Sequence, residues 1–274
     1  MRLLRILPVL LFFVGLARAA ETQPFELGVV PYLPTASLIT HYQPLRTHLE
    51  KRLGRPVTLT TAPDFPTFIG RCLRQEYDVI VLGSGLGRFL QTEAGYRPLV
   101  VAKRNTKAIV MVDRQAPYAS LKDLAGRRVA MVDAAPGLTQ FGKEAFRKAG
   151  MLPGRDYHIQ FVTSPSNALH AVLQGETDAG VTTANLVPQL SVEDSQRLRI
   201  LAESQEFPGM MFLLRPGAGI GPAQMQDILL RFDETDSGRR FIQALALDGL
   251  RIPAERELKA LDDFLPEIRK RFRD

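Results

Sequence analysis

The pattern of apolar and polar positions predicts strand, helix, strand, helix and strand over residues 25–82. Short apolar runs with the length of buried strands fall at 25–30, 57–61 and 77–82. Apolar residues at helical spacing fall between them, at 35–53 and 65–75. Thr35 is a plausible cap for the first helix, Pro44 should interrupt it and Gly54 should end it.

The same alternation continues through the rest of the chain. Further strands are predicted at 99–102, 109–112, 129–132, 157–162, 178–182, 198–202 and 211–214. Helical segments are predicted at 121–124, 141–149 and 167–173, with a helical tail over 223–273. Strands that alternate with helices favour α/β lobes, each a mostly parallel sheet flanked by helices.

Two lobes joined by two crossings fit this order, because the helical tail needs a sheet to pack on. We place the crossings at 103–107 and 203–207. The first lobe then comprises residues 20–105 and 204–274, and the second comprises residues 106–203.

The N-terminus has the three parts of a cleavable export signal. Arg2 and Arg5 precede an apolar run over 6–16, and Ala17-Arg18-Ala19 is a small-residue cleavage site. We therefore expect residues 1–19 to be a signal peptide and the mature protein to be periplasmic. An N-terminal membrane anchor is the alternative, although the apolar run is too short to span a bilayer.

Composition limits the class of partner. The formal net charge is +6, and removal of Arg2, Arg5 and Arg18 with the signal leaves +3. This mild charge, without a basic run interleaved with aromatics, argues against nucleic acid and suits a small anionic solute. The single cysteine, Cys72, excludes an intrachain disulfide and a paired-cysteine metal site, so we expect a monomer without disulfides.

Catalytic and metal-binding patterns are missing from the sequence. The chain has histidines at positions 41, 48, 158 and 170. His41 and His48 are seven positions apart, but Pro44 lies between them and no carboxylate is suitably spaced, and His170 lies among apolar helix residues; no metal and no cofactor is expected. Neither a nucleophile elbow nor a phosphate-binding loop is present, and we do not expect an enzyme. Cys72 falls on the apolar face of its helix and reads as a small core residue.

Five segments carry a family resemblance. They are LGVVPYLP (27–34), PLRTHLEKRLGRPV (44–57), YDVIVLGSG (77–85), SLKDLAGRRVAMVD (120–133) and AVLQGETDAGVTT (171–183). In order and spacing they resemble type II periplasmic solute-binding proteins of ABC importers, within the PhnD-like group for phosphate, phosphite and phosphonate. The resemblance implies a two-lobed clamshell that closes on one small solute and passes it to a membrane permease.

Other functions remain open at this point. The same clamshell could be a sensor that docks onto a membrane histidine kinase. A periplasmic enzyme is a third hypothesis, because this fold also hosts enzymes. One subgroup of PhnD-like proteins that this chain resembles binds arsenite through cysteine, which would give Cys72 a ligand role.

Ligands of open α/β sheets bind beyond the carboxyl ends of the strands. The loops at those ends are 31–35, 83–85, 133–139, 163–167 and 182–185. They supply the candidate ligand-binding residues Tyr32, Ser84, Gly85, Gly137, Leu138, Thr139, Ser164, Ser166, Thr182 and Thr183. Tyr32 could donate its hydroxyl to a ligand oxygen or merely pack beside Pro31.

The loop before Pro136 is the most informative of the five. Pro136 suits the first position of a helix, which puts Ala135 at the cap without a side-chain acceptor. The N–H groups of residues 137–139 would then be free to bind an anion. Alternatively, Asp133 or water satisfies them.

The sequence departs from the PhnD-like pattern in two loops. Pro136-Gly137-Leu138 stands where the family usually has Ser-Thr-Ser, and Ser164-Pro165-Ser166 stands where it often has Ser-His-Asp. Both differences remove polar contacts to a ligand. A cradle of backbone N–H groups is therefore better supported than any particular anion. Asp178 is expected to hold its loop structurally, because an unpaired carboxylate would repel an anion.

Overall fold

The computed structural model describes residues 23–132 and 136–272. Its strands are β1 Phe25–Val29, β2 Val57–Thr60, β3 Val79–Gly83, β4 Arg97–Ala102, β5 Ala108–Asp113, β6 Arg128–Val132, β7 His158–Val162, β8 Ala179–Thr183, β9 Leu198–Glu203, β10 Met210–Leu214 and β11 Leu250–Arg251. Its α-helices are α1 Thr35–Leu53, α2 Phe65–Leu73, α3 Ser84–Ala94, α4 Pro136–Lys148, α5 Pro165–Leu173, α6 Val192–Arg197, α7 Pro222–Asp233, α8 Asp236–Ala244, α9 Glu255–Ala260 and α10 Leu265–Phe272. Short 3₁₀ helices cover Leu121–Leu124, Ala184–Gln189 and Leu261–Phe264. The expected signal peptide, residues 1–19, lies outside the described residues.

The strands form two sheets, and each is flanked by helices. One has the order β11-β4-β10-β3-β1-β2 and the other the order β7-β6-β8-β5-β9. We refer to the first sheet and its helices as the first lobe and to the second sheet and its helices as the second lobe. The predicted two-lobed α/β fold is confirmed.

Each sheet mixes parallel and antiparallel pairs for a topological reason. Strand β1 pairs in parallel with β2 and β3, and β6 pairs in parallel with β7 and β8. Strand β10, by contrast, runs antiparallel to both of its neighbours, β3 and β4, and β5 runs antiparallel to both of its neighbours, β8 and β9. Each of these two strands follows a crossing between the sheets, so β10 begins beside the end of β4 and β5 begins beside the end of β9.

The two crossings are hydrogen-bonded to each other. The N–H of Thr106 donates to the carbonyl of Phe207 at 2.9 Å, and the N–H of Phe207 donates back to the carbonyl of Thr106 at 2.9 Å. The hydroxyl of Ser204 also accepts the N–H of Ala108 at 3.0 Å. The chain therefore passes between the lobes through one paired, two-stranded connection.

An aspartate holds the start of the central parallel pair in each lobe. Asp78 accepts the N–H of Glu26 at 2.9 Å, and Asp178 accepts the N–H of Arg128 at 3.0 Å. Asp178 also accepts the hydroxyl of Tyr118 at 2.7 Å. Its structural role, predicted from the sequence, is confirmed.

Asp78 additionally forms an ion pair with Arg215 that should contribute to the stability of the first lobe. Its Oδ1 lies 2.5 Å from Nη2 of Arg215, and only 11% of the aspartate side chain is exposed. Asp78→Ala should lower the free energy of unfolding by about 3 kcal/mol, since it leaves a largely buried guanidinium unpaired. Urea unfolding measures the loss. Asp178→Ala is the matched control and should cost about 1 kcal/mol, because among the described residues Asp178 forms no ion pair with an arginine side chain; equal losses would contradict this account.

Three predictions of secondary structure were wrong. Thr35 is the first residue of α1 rather than its cap, which is Pro34, and no side chain caps this helix. Helix α1 is continuous through Pro44, where an interruption was expected. Buried contacts of Tyr42 and Leu45 on either side outweigh the hydrogen bond that proline removes. The tail is not wholly helical either, because β11 pairs antiparallel with β4 at the sheet edge.

The described helices are all too short or too polar to cross a lipid bilayer.

Candidate functional site

A cavity of about 680 Å³ lies between the two lobes. The carboxyl ends of β3 and β8 reach it through Gly83 and Thr183, and the loop after β1 reaches it through Tyr32. Both crossings and the C-terminal segment close its other sides. The cavity thus occupies the region beyond the strand ends where ligands of α/β proteins bind.

Helix α3 points its N-terminus into this cavity. The cap residue, Gly83, makes no side-chain hydrogen bond, and residues 83–86 all line the cavity. The first-turn N–H groups of Ser84, Gly85 and Leu86 have no partners within the helix. Together with the positive end of the helix dipole, they form a cradle suited to an anion.

Ser84 contributes its backbone N–H to the cradle, whereas its hydroxyl hydrogen is engaged elsewhere. The hydroxyl is buried and donates to the carbonyl of Pro208 at 2.6 Å. This bond ties the start of α3 to the chain as it returns from the second lobe. The position of the cradle is consequently coupled to the crossing.

Ser84 and Gly85 were predicted to be ligand-binding residues of a loop, and helix α3 was not predicted. Three glycines, at positions 83, 85 and 87, lower the helical propensity of this stretch. The helical spacing of Leu86, Phe89 and Leu90, all buried, is the signal that could have revealed the helix.

Helix α4 begins at Pro136, as predicted. Gly137 and Leu138 fall in its first turn, and Leu138 lines the cavity. The predicted cap, Ala135, and its alternative partner Asp133 lie outside the described residues. Thr139 is buried and donates its hydroxyl to the carbonyl of Val132, so it is not among the described residues that line the cavity.

Two of the three hydroxyl candidates around α5, Ser164 and Thr182, support the structure of the second lobe. Ser164 caps α5 by accepting the N–H of Asn167 at 3.2 Å. Thr182 donates its hydroxyl to the carbonyl of Pro165 at 3.0 Å. Ser164, Ser166 and Thr182 are buried, and none is among the described lining residues, whereas Thr183 is.

Tyr32 lines the cavity, but its hydroxyl is engaged inside the protein. It shares a hydrogen bond of 3.1 Å with the hydroxyl of Tyr42, and both residues are buried. Burial raises the pKa of each tyrosine above its usual value, so both stay neutral.

Tyr32→Phe should therefore lower stability with and without ligand. The change leaves the hydroxyl of Tyr42 buried without a partner, at a cost of about 1–3 kcal/mol. Thermal unfolding measures this, and the double change Tyr32→Phe with Tyr42→Phe should recover part of the loss. If Tyr32→Phe instead keeps full stability but weakens ligand binding, the hydroxyl of Tyr32 contacts the ligand rather than Tyr42.

Amide side chains of the cavity were not identified from the sequence. Asn105 and Gln205 belong to the two crossings, Gln140 to α4, and Asn185 follows β8. Asn185 accepts the hydroxyl of Thr106 at 3.0 Å through Oδ1, which orients its amide. Neutral donors and acceptors thus line the cavity.

The charged side chains of the cavity wall are acidic. Lysine and arginine are absent from its described lining, while Glu144, Glu206, Glu257 and Asp263 are present. Two of these four carboxylates are paired at 2.7 Å, Glu144 with Arg147 and Glu257 with Arg251. The Arg251 guanidinium holds the pKa of the Glu257 carboxyl below its usual range. An anion in this cavity would depend on backbone N–H groups and neutral side-chain donors for its recognition.

Cys72 is completely buried on α2. Burial raises the pKa of its thiol far above the usual value, which disfavours the thiolate that metal or arsenic chemistry needs. Nowhere in residues 23–132 and 136–272 do three or more histidine, cysteine or acidic side chains gather as a metal site would require.

The profile of one protein family matches residues 27–258. Its description is "ABC transporter, phosphonate, periplasmic substrate-binding protein".

Solved structures of similar fold include PhnD1 from Prochlorococcus marinus in complex with methylphosphonate, with 14% sequence identity and a TM-score of 0.76 over 90% of this chain and 98% of that one. A binding protein component of an ABC phosphonate transporter from Pseudomonas aeruginosa has 15% identity and a TM-score of 0.75 over 91% and 98% of the two chains. A Xanthomonas citri protein bound to a chloride ion has 20% identity and a TM-score of 0.70 over 91% and 100%. At these identities, the likeness concerns the fold.

Proposed function

Since this chain belongs to the family of ABC transporter periplasmic substrate-binding proteins of the phosphonate type, we propose that it binds an organic oxyanion, of the phosphonate kind, between its lobes. The observation that carries this proposal is the uncapped first turn of α3, which faces the cavity between the lobes. The family does not favour the alternative role of a sensor for a histidine kinase.

Backbone N–H groups recognise the anion. The N–H groups of Ser84, Gly85 and Leu86 are directed along the axis of α3, where the helix dipole adds a favourable field. Because the cradle is built from backbone, it binds an anion without a lysine or arginine in the described lining.

The rest of the cavity selects the ligand by size and charge. Its volume of about 680 Å³ lies in the range of sites for small organic molecules and leaves room beside the oxyanion for an organic group. Phe65, Phe141 and Leu186 give this space apolar walls. Glu206 and Asp263, which form no ion pair within 4.0 Å among the described residues, oppose a second negative charge, so the favoured ligand carries a low net charge.

The lobes close on the ligand through the paired crossings. We place the first lobe at residues 20–105 and 204–274 and the second lobe at residues 106–203. The hydrogen bonds between Thr106 and Phe207 support this division, because they lie where the chain leaves one sheet for the other. Rotation about this connection would open the cavity to solvent.

The mature protein is expected to act as a periplasmic monomer. Residues 1–19 are proposed to be removed on export, and the closed protein is proposed to dock onto an ABC permease. The tripartite N-terminus and the family support this placement. Mass spectrometry of periplasmic material should then show a mature N-terminus near Ala20.

A thermal-shift screen tests the proposed ligand class. Phosphate, sulfate, alkylphosphonates, alkylsulfonates and, as a cationic control, choline are each added to the purified protein. A ligand at a hundredfold over its Kd should add about 2.7 kcal/mol of stability, a rise in Tm of about 5–10 °C. Stabilisation by choline alone would refute the oxyanion proposal.

A further inference from the structure

We propose that the C-terminal segment, residues 261–272, forms a wall of the ligand cavity, and that Phe264 and Ile268 limit the length of the organic group that the site accepts. This inference rests on the proposed binding of an organic oxyanion. It gives a role in ligand specificity to residues that follow position 258, the last residue matched by the family profile.

The segment bridges the two lobes. It consists of the 3₁₀ helix Leu261–Phe264 followed by α10, and Leu261, Leu265 and Ile268 are buried. Helix α10 packs against α2 and α3 of the first lobe and also against α4 of the second. A solute between the lobes therefore lies beside this segment.

Ion pairs fix the segment to α3. Arg88 binds both carboxylate oxygens of Asp262, with 2.7 Å between Nε and Oδ1, and only 13% of its side chain is exposed. Arg269 pairs with Glu93, the carboxylate of which is almost buried, at 2.9 Å. Since both partners lie on α3, the segment holds a constant position relative to the anion cradle.

Phe264 and Ile268 stand directly beside that cradle. A Cβ atom built on Gly85 would lie 3.9 Å from Cδ1 of Ile268 and 4.0 Å from Cβ of Phe264. Both side chains line the cavity, and the Phe264 ring meets the ring of Phe207 from the second crossing at 6.1 Å between centroids. An organic group that extends from an oxyanion on α3 towards the segment must stop at these side chains.

The alternative is that the segment only stabilises the fold. Truncation of a purely structural residue would weaken binding of every ligand in the same proportion. Truncation of a wall that limits length would instead leave short ligands nearly unaffected and improve the binding of long ones. The ratio of affinities, rather than their absolute values, separates the two roles.

The test compares methylphosphonate with longer straight-chain alkylphosphonates by isothermal titration calorimetry. Phe264→Ala and Ile268→Ala should each shift the ratio of Kd values in favour of the longer ligand by about tenfold for two additional methylene groups. Phe272→Ala is the matched control, because Phe272 lies on α10 against Phe89 and outside the described lining. It should leave the ratio unchanged. If Ile268→Ala fails to fold, Ile268→Val replaces it and should give a smaller shift in the same direction.

The outcomes separate this inference from the proposed function. If the wild-type protein binds none of these phosphonates, the proposed function fails and the inference with it. If the wild type binds them and the variants keep its ratio of Kd values, or lose affinity for all chain lengths equally, the wall alone is refuted.

Discussion

Gly85→Asp should abolish oxyanion binding without unfolding the protein. Gly85 is the second residue of α3, and a Cβ atom there would make only ordinary contacts with its neighbours. An acidic side chain in the first turn of a helix is favourable by about 0.3–1 kcal/mol. The new carboxylate would compete with the ligand for the N–H groups and repel it. Affinity should fall by about a hundredfold or more, as expected when charge-assisted hydrogen bonds are lost.

Gly85→Ala is the control for this change. It adds the Cβ atom without the charge, and its affinity for the cognate oxyanion should stay within about threefold of the wild type, a difference below 1 kcal/mol. Calorimetry measures both affinities, and thermal unfolding verifies that both variants are folded. An aspartate variant that binds the oxyanion as tightly as the alanine variant would place the anion elsewhere.

Truncation after Pro216 should prevent the protein from folding. The cut removes every element from α7 to α10, although β10 remains in the centre of the first sheet. Helix α7 packs on β4 and α8 packs on α1, where the rings of Tyr42 and Phe241 lie 5.3 Å apart. Their loss would expose one face of the first lobe, so the truncated chain should show no cooperative thermal transition.

A chain that ends at Phe272 serves as the control for truncation. It retains α10 and its contacts with α3, and its Tm should match that of the full chain. A protein truncated after Pro216 that unfolds cooperatively and binds ligand would contradict the proposal that the C-terminal residues complete the first lobe.

The other strands of the first lobe could be predicted because each is a short apolar run between turn residues, whereas the two-residue strand β11 was missed. Burial on both faces makes β1 and β3 nearly continuous apolar segments, which local sequence reveals. Helices were less predictable where tertiary contacts override propensity. Pro44 and the glycines of α3 both argue locally against a helix, and packing of apolar residues on the sheets outweighs that preference.

The location of the cavity could be predicted from the sequence, but the hydrogen bonds of its side chains could not. Strand ends identified Tyr32, Ser84, Gly85, Leu138 and Thr183 as neighbours of one cavity. Sequence could not reveal that the hydroxyl of Ser84 is committed to Pro208, which lies 124 positions along the chain. The sequence could not reveal the position of Phe264 and Ile268 at the cavity either, because it depends on how the C-terminal segment packs between the lobes.

A crystal structure with the oxyanion that gives the largest thermal shift would test the central claim most directly. We expect the ligand between the lobes, with its oxygens about 2.7–3.1 Å from backbone nitrogens in the first turn of α3, residues 84–86. An oxyanion bound instead by lysine or arginine side chains on the outer surface, with the first turn of α3 unliganded, would contradict the account.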